Sequence, residues 1–196
     1  YNPCGEYTGD DNEKHYYADQ TDNYLQKNYQ LLFNHTFSTA WNLNVALHYT
    51  KGDGYYEEYK EDRSFVEYGL KPFTTDDLVR QKKMDNKFGG GVFSLNYTNP
   101  RLTASLGGGI NQYRGNNFGK VTWVKNYIGA LSPDHEYYRN QSKKTDGNIY
   151  LKASYDLTGG LSAYADLQYR HIDYTIDGAN DKYDWNKSAL RPLTVD

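Results

Sequence analysis

Along six stretches of this chain, apolar side chains return at every second position. Between Tyr29 and Phe37 the odd positions are Tyr29, Leu31, Phe33, His35 and Phe37, separated by Gln30, Leu32, Asn34 and Thr36. From Leu43 the odd set continues as Leu43, Val45, Leu47 and Tyr49. A second pair of stretches carries Phe93, Leu95 and Tyr97, then Leu102, Ala104 and Leu106. A third carries Ile149, Leu151, Ala153, Tyr155 and Leu157, then Leu161, Ala163, Ala165, Leu167 and Tyr169. Period two is the signature of a strand whose two faces meet different surroundings. Each pair is joined by a few turn-forming residues, so the pattern predicts three hairpins, over about 24–59, 84–114 and 145–175. The polar stretches between them, about 52–82, 114–144 and 173–196, read as long loops. The predicted fold is all-β: an antiparallel up-and-down meander of about six strands.

Register sharpens this reading. A two-residue turn at Asn99-Pro100 sets Leu95 opposite Ala104, Phe93 opposite Leu106 and Ser94 opposite Ser105. Partner numbers summing to 80 pair Phe33 with Leu47, His35 with Val45 and Thr36 with Asn44. Numbers summing to 318 place Ala153 beside Ala165, Leu151 beside Leu167, Asn148 beside Arg170, and Lys152 opposite Asp166 as an opposite-charge pair. In every case the two faces stay in phase.

One face carries no Asp, Glu, Lys or Arg at any alternating position of the six stretches. Its band comprises Leu31, Phe33, Val45, Leu47, Phe93, Leu95, Leu106, Leu151 and Leu167. Five such positions span ~30 Å of strand at ~3.3 Å per residue. Tilted by ~45°, that projects to ~21 Å, close to the ~25 Å apolar band of a membrane barrel. Phe37, Trp41, Tyr97 and Tyr155 collect near the short turns, with Tyr29, Tyr49 and Tyr169 toward the other border, as interfacial girdles would. The opposite face is polar: Gln30, Asn34, Thr36, Asn44, Ser94, Asn96, Thr103, Ser105, Ser154 and Asp166. It suits a lumen wall that meets water or a polar plug.

Composition fits a folded but aliphatic-poor chain. The 196 residues include 22 tyrosines and 18 glycines at a net charge of −3, and Leu, Ile, Val and Phe together make up about 18%. That share would suggest disorder if the charge were large; here tyrosines supply the missing surface. No apolar run approaches the ~18 residues of a transmembrane helix. Scattered lysines faced by acids argue against nucleic acid. Cys4 stands alone in a predicted Asn2-Pro3-Cys4-Gly5 turn, so no disulfide framework is available within the chain. No signal peptide opens the sequence, and Tyr1-Asn2-Pro3 resembles a cut into a longer protein.

Chemical motifs are few. Gly89-Gly90-Gly91 and Gly107-Gly108-Gly109 are not a phosphate loop, because neither opens a helix and no Gly-Lys-Ser/Thr follows. They are expected to pair, Gly90 with Gly109 and Gly91 with Gly108, as a bend or a place of close approach. Asp10, Asp11, Glu13, Asp19 and Asp22 are carboxylates suited to calcium but lack the EF-hand spacing. His15, His35, His48, His135 and His171 share no metal spacing. The glycosylation sequons at Asn34 and Asn96 fall inside predicted strands. No catalytic constellation, cofactor site or metal site is predicted. A candidate ligand-contact segment is Tyr55, Tyr56, Glu57 and Tyr59, where tyrosines offer area and hydroxyls at low entropic cost; the alternative is that these residues continue the strands.

Several segments carry a resemblance. Asp19-Gln20-Thr21-Asp22-Asn23-Tyr24, Tyr29-Gln30-Leu31, and above all Leu47 through Lys60 (Leu-His-Tyr-Thr-Lys-Gly-Asp-Gly-Tyr-Tyr-Glu-Glu-Tyr-Lys) resemble the barrel of TonB-dependent outer-membrane receptors. Asp146 through Ala153 and Asp166 through Arg170 are similar again. The resemblance implies part of a transmembrane barrel of about 22 strands in the Gram-negative outer membrane. It implies a receptor, not an enzyme, that imports an iron chelate, haem, cobalamin or a glycan. TonB would act through a plug region that has no counterpart in these residues. It also implies outer-membrane lipid against the band, turns 39–41, 99–100 and 158–160 on the periplasmic side, and loops 52–82 and 114–144 outside, with a tag near Asp134 reachable from the medium. An isolated piece with two open edges is expected to self-associate. The competing readings are a soluble or surface β-sheet binding module and a non-transport outer-membrane barrel.

Overall fold

The structure is a computed structural model describing residues 6–16, 21–128, 131–132 and 135–195. Cys4, Asp19 and Asp134 lie outside them. A small two-stranded sheet comprises β1 (Glu6–Thr8) and β2 (Lys14–Tyr16). The main sheet runs in chain order through β3 (Asp22–Thr36), β4 (Trp41–Ser64), β5 (Thr75–Thr98), β6 (Leu102–Val124), β7 (Glu136–Thr158), β8 (Leu161–Asp184) and the short β9 (Ala189–Pro192). Every neighbouring pair is antiparallel. The expected all-β meander is the observed one, and the sheet does not close on itself.

The faces are as predicted. One unbroken row, His35, Leu43, Leu95, Leu106, Leu151 and Leu167, crosses six strands as successive direct partners. The next row is Phe33, Val45, Phe93, Gly108, Ile149 and Tyr169. Asn34, Asn44 and Ser94 form a row on the other side, and Asp166 shares that side. The third hairpin has the predicted register from Asn140 to Asp156, with a shift only beside the turn, where Thr158 pairs with Leu161; Lys152 Nζ lies 3.7 Å from Asp166.

The first two hairpins are shifted by two residues. Phe33 pairs with Val45, His35 with Leu43 and Thr36 with Asn42; Leu95 pairs with Leu106, Phe93 with Gly108 and Ser94 with Gly107. Turn side chains cause the shift. Ser38 Oγ accepts from the backbone N–H of Ala40 and Trp41 at 3.2 and 3.3 Å, centring the first turn on Thr39. Asn99 Oδ1 accepts from the N–H of Arg101 and Leu102 at 2.8 and 2.7 Å, moving the second turn onto Pro100-Arg101. A two-residue slip leaves both faces intact, whereas a one-residue slip would exchange them.

The glycine runs do not face each other as expected: Gly90 pairs with Asn111 and Gly91 with Ile110. A Cβ on Gly90 would stand 2.2 Å from the Ile110 carbonyl oxygen and 2.5 Å from Asn111 Oδ1. The bare position instead lets His48 Nε2 on β4 meet Asn111 Oδ1 on β6 at 2.8 Å, across the intervening strand. Close approach is therefore the role of this glycine.

The stretches expected as long loops are mostly strand. β4 continues to Ser64 and β5 begins at Thr75; β6 runs to Val124, β7 starts at Glu136, and β8 reaches Asp184. Their polarity hid them, since beyond a two-sided environment both faces can be hydrophilic. The chain between β4 and β5 folds through a 3₁₀ turn at Phe65–Tyr68. It buries Phe65, Tyr68 and Leu70 with Leu78, Val121, Val124 and Tyr137. This cluster, at the long-strand end, holds all the buried apolar side chains among the described residues. Leu78 is fully buried and Leu167 is 70% exposed. Leu78→Ala should therefore lower the unfolding free energy by about 3 kcal/mol, and Leu167→Ala by less than about 0.5 kcal/mol. Urea unfolding in detergent micelles measures both.

Candidate functional site

The polar face is built as a hydrogen-bonded wall. Asn34 donates to Asn44, whose own amide donates to Asn42 at 2.8 Å and to Ser94 at 3.3 Å. Asn96 donates to Ser94 at 3.3 Å, and Ser105 donates to Asn96 Oδ1 at 2.8 Å. Four strands are thus tied by short side chains alone, which keeps the wall polar without projecting into the space before it. Further along, Arg170 holds Asp146 by a bidentate pair, its Nε at 2.9 Å. Such paired groups meet the demand that half-buried charges be satisfied.

At the long-strand end this face becomes a binding-shaped corner. Two tyrosines, Tyr137 and Tyr138, both project over Gly119, because the ladder between β6 and β7 shifts there. A Cβ on Gly119 would lie 2.3 Å from one ring and 2.4 Å from the other. Beside them Arg80 Nε donates to Glu58 at 2.9 Å, an Arg80 N–H reaches the Tyr68 hydroxyl at 3.2 Å, and Lys60 sits 3.3 Å from Glu58. Lys82 pairs with Asp181. That pair joins β5 to β8 across about 14 Å of flat sheet, further than the two side chains reach, so the tip of β8 leans over the polar face. Asn140 secures it by donating to the Ala179 carbonyl at 3.1 Å. Between these groups lies a pocket of about 380 Å³ lined by Tyr56, Tyr138, Asn117, Asn140, Lys82 and Asp181.

The four residues of the predicted ligand-contact segment do not converge here. They lie on β4 and alternate sides. Tyr56 faces the pocket, with Lys82 Nζ 5.8 Å from its ring centre. Tyr55, Glu57 and Tyr59 take the other face, where Lys83 lies 5.2 Å over Tyr55, Gln81 donates to Glu57 at 2.7 Å, and the Tyr59 hydroxyl donates to Asp77 at 2.7 Å. The strand-continuation alternative describes them. Sequence reasoning missed Tyr138, Lys82 and Asp181, since nothing local links positions so far apart in the chain. Among the described residues no three His, Cys, Asp or Glu side chains gather as a metal site. Of the calcium candidates, Asp11 is engaged by His15 at 2.8 Å and by the Glu13 N–H at 2.9 Å.

Electrostatics match the geometry. Burial pushes the Tyr137 and Tyr138 hydroxyls above the usual phenol range, so both stay neutral. Burial also works to raise Glu58, but Arg80 and Lys60 outweigh it and hold the carboxyl below its ordinary value. Burial is likewise overcome at Asp181 by the Lys82 hydrogen bond and charge. The corner brings together tyrosine rings, amides and charges of both signs, Lys82 and Lys83 with Asp181.

No family model matches the chain, and no curated protein matches it.

Because the folded Glu58 value is depressed, its stabilisation is present at neutral pH and is lost in acid, as pH falls below the ordinary carboxyl range and through the depressed value. Glu58→Gln, which leaves Arg80 charged in a site where both side chains are only 15% exposed, should cost about 3 kcal/mol at pH 7. It should also flatten the acid-side loss of stability. Urea unfolding at a series of pH values, followed by tryptophan fluorescence, checks both; an unchanged acid slope in the variant would contradict the assignment.

Proposed function

We propose that this chain is one wall of a TonB-dependent receptor in the Gram-negative outer membrane, importing a scarce nutrient without covalent chemistry. The observation that carries this reading is the charge-free outward band, continuous in register over six strands and left open by the rest of the chain. Leu31, Phe33, Leu47, Leu106, Leu151 and Leu167 are all exposed. Burying a large apolar side chain is worth about 1.5–3 kcal/mol, so a band of this size calls for a lipid environment. Trp41 packs on Tyr97, ring centres 4.8 Å apart, and Tyr29 stacks on Tyr49 at 6.3 Å, at opposite borders of the band. Aromatic girdles sit at such borders.

Strand length supports the same reading. A bilayer needs about 9–11 residues per tilted strand; β4 has 24. The excess lies at one end, with the buried cluster and the tyrosine corner. In this proposal that end faces outward and takes the ligand, an iron chelate, haem, cobalamin or glycan. The polar wall lines the conduit, and TonB acts through a plug outside these residues. The open outer edge of β3, and that of β8 before β9 joins its far end, are where further barrel strands attach, or where isolated chains associate. A soluble sandwich would lay a second sheet over the band; among the described residues the main sheet is accompanied only by the two-stranded β1–β2 sheet.

Single-cysteine variants in a Cys4→Ser background test the reading after reconstitution into vesicles. A fluorophore at Leu31, Leu47 or Leu151 should be quenched by brominated lipid, and one at Ser94, Ser105 or Ser154 by aqueous iodide. Equal quenching of both sets by iodide would overturn it.

A further inference from the structure

Following each strand outward along the apolar face, the band ends and a first formally charged side chain appears. On five successive strands that residue is a cation: Lys27 on β3, Lys51 on β4, Lys87 on β5, Arg114 on β6 and Lys143 on β7. They are also direct cross-strand partners, Lys27 with Lys51, Lys51 with Lys87, Lys87 with Arg114, and Arg114 with Lys143. The chain carries fewer basic than acidic residues, 22 against 25, so five consecutive cations are not what composition alone favours. All five are exposed. Neighbouring strands are about 4.8 Å apart, giving a row about 19 Å long.

Like charges directly opposite one another destabilise a sheet, and this row is not neutralised internally. None of the four lysines makes an ion pair among the described residues, and Arg114 Nε donates to an amide, Gln112 Oε1, at 2.8 Å. The carboxylates of Asp53, Asp85 and Asp177 occupy the next row away from the band without pairing with the cations. A groove of about 660 Å³ follows the row, lined by Lys87, Arg114 and Lys143 on one side and Asp85, Asn116 and Asp177 on the other. Asp85 Oδ1 is buried there without a hydrogen-bond partner. The groove thus offers cations for an anionic group and an acceptor for a hydroxyl or ammonium.

We propose that this row is a docking belt for phosphorylated lipid headgroups, each phosphate seated among Lys27, Lys51, Lys87, Arg114 and Lys143 and the headgroup's donors directed to the acidic row. The inference rests on the membrane reading above. It adds which lipids the wall selects and fixes the long-strand end at the anionic headgroup layer. Position is the decisive argument: cations in solution-facing strands need no common row, whereas a headgroup layer lies just beyond the aromatic border formed by Tyr29 and Tyr49. Each basic residue near an anionic surface strengthens association about five-fold.

The test reconstitutes the chain in phosphatidylcholine vesicles and follows spin-labelled phosphatidylglycerol and spin-labelled phosphatidylcholine by electron spin resonance. The expected result is a preference of about five-fold or more for phosphatidylglycerol in the protein-bound lipid population, weakening as salt is raised. The combined variant Lys27→Gln, Lys51→Gln, Lys87→Gln, Arg114→Gln and Lys143→Gln should lose it. Replacing the four lysines by arginine should keep it, which guards against a variant that fails through misfolding. No preference in the unaltered chain, or an equal preference in the glutamine variant, overturns the belt. Loss of the preference on adding inorganic phosphate, with ionic strength matched by chloride, would make the row a free-phosphate site and overturn the lipid assignment. The membrane reading fails separately: it falls if neither lipid shows a protein-bound component, whereas a bound component without selectivity refutes the belt alone.

Discussion

Phase between the strands governs everything else in this structure. Each strand has one side chain row for each face, and direct cross-strand partners share a face. The row from His35 to Leu167 exists only because five successive pairings keep the same parity. A change of one residue at any turn would place leucines among asparagines on every strand beyond it. Turn chemistry is therefore coupled to the far edge of the sheet. Ser38 and Asn99 close the first two turns with side-chain hydrogen bonds, and the registers they favour keep that parity.

The sheet that results has no core of the ordinary kind over half its length. A single layer cannot bury one face against another. What holds the lower half is the backbone ladder and the side-chain network from Asn34 to Ser105, each bond worth about 1 kcal/mol net. The dispersion and hydrophobic terms that normally dominate folding must come there from whatever covers the band. In the upper half the chain supplies its own cover: the 65–70 segment folds over Leu78 and Val121, both fully buried. The core sits where an external apolar medium would stop.

That division also explains which parts were legible in sequence. Strand faces were readable because the lower halves carry one apolar and one polar face, which period-two alternation reports directly. The third hairpin was readable as far as Asp156, because Gly159-Gly160 leaves no side chain to recentre the turn and the shift stays beside it. The other two were off by two, since a serine or asparagine hydroxyl or amide can recentre a turn without disturbing the pattern. The upper strands were mistaken for loops. Their charged residues pair across strands, as Glu58 does with Arg80 and Gln81 with Glu57, but such pairing leaves no periodic trace in one dimension. The corner around Tyr138 was invisible for the same reason: Lys82 and Asp181 meet only because β8 leans across the sheet.

The change in side-chain character along each strand sets what each height offers. Where one face carries the apolar band, polarity is confined to the opposite face, where Asn34, Asn44 and Ser94 are tied to one another beside longer groups such as Tyr150 and Lys152. Beyond the band both faces are free of that constraint, and large amphipathic side chains appear on each: Tyr55 with Lys83 and Phe118 with Arg139 outside, Tyr56 with Lys82 and Tyr138 within. Recognition needs rigid aromatic area held against polar groups, and holding it needs local burial. The Phe65–Tyr68 turn provides that burial for Tyr137 and, through Tyr137, for Tyr138. The cluster that stabilises the strand ends is therefore also what orients the tyrosines, so the geometry of the corner and the stability of this end rest on the same packing.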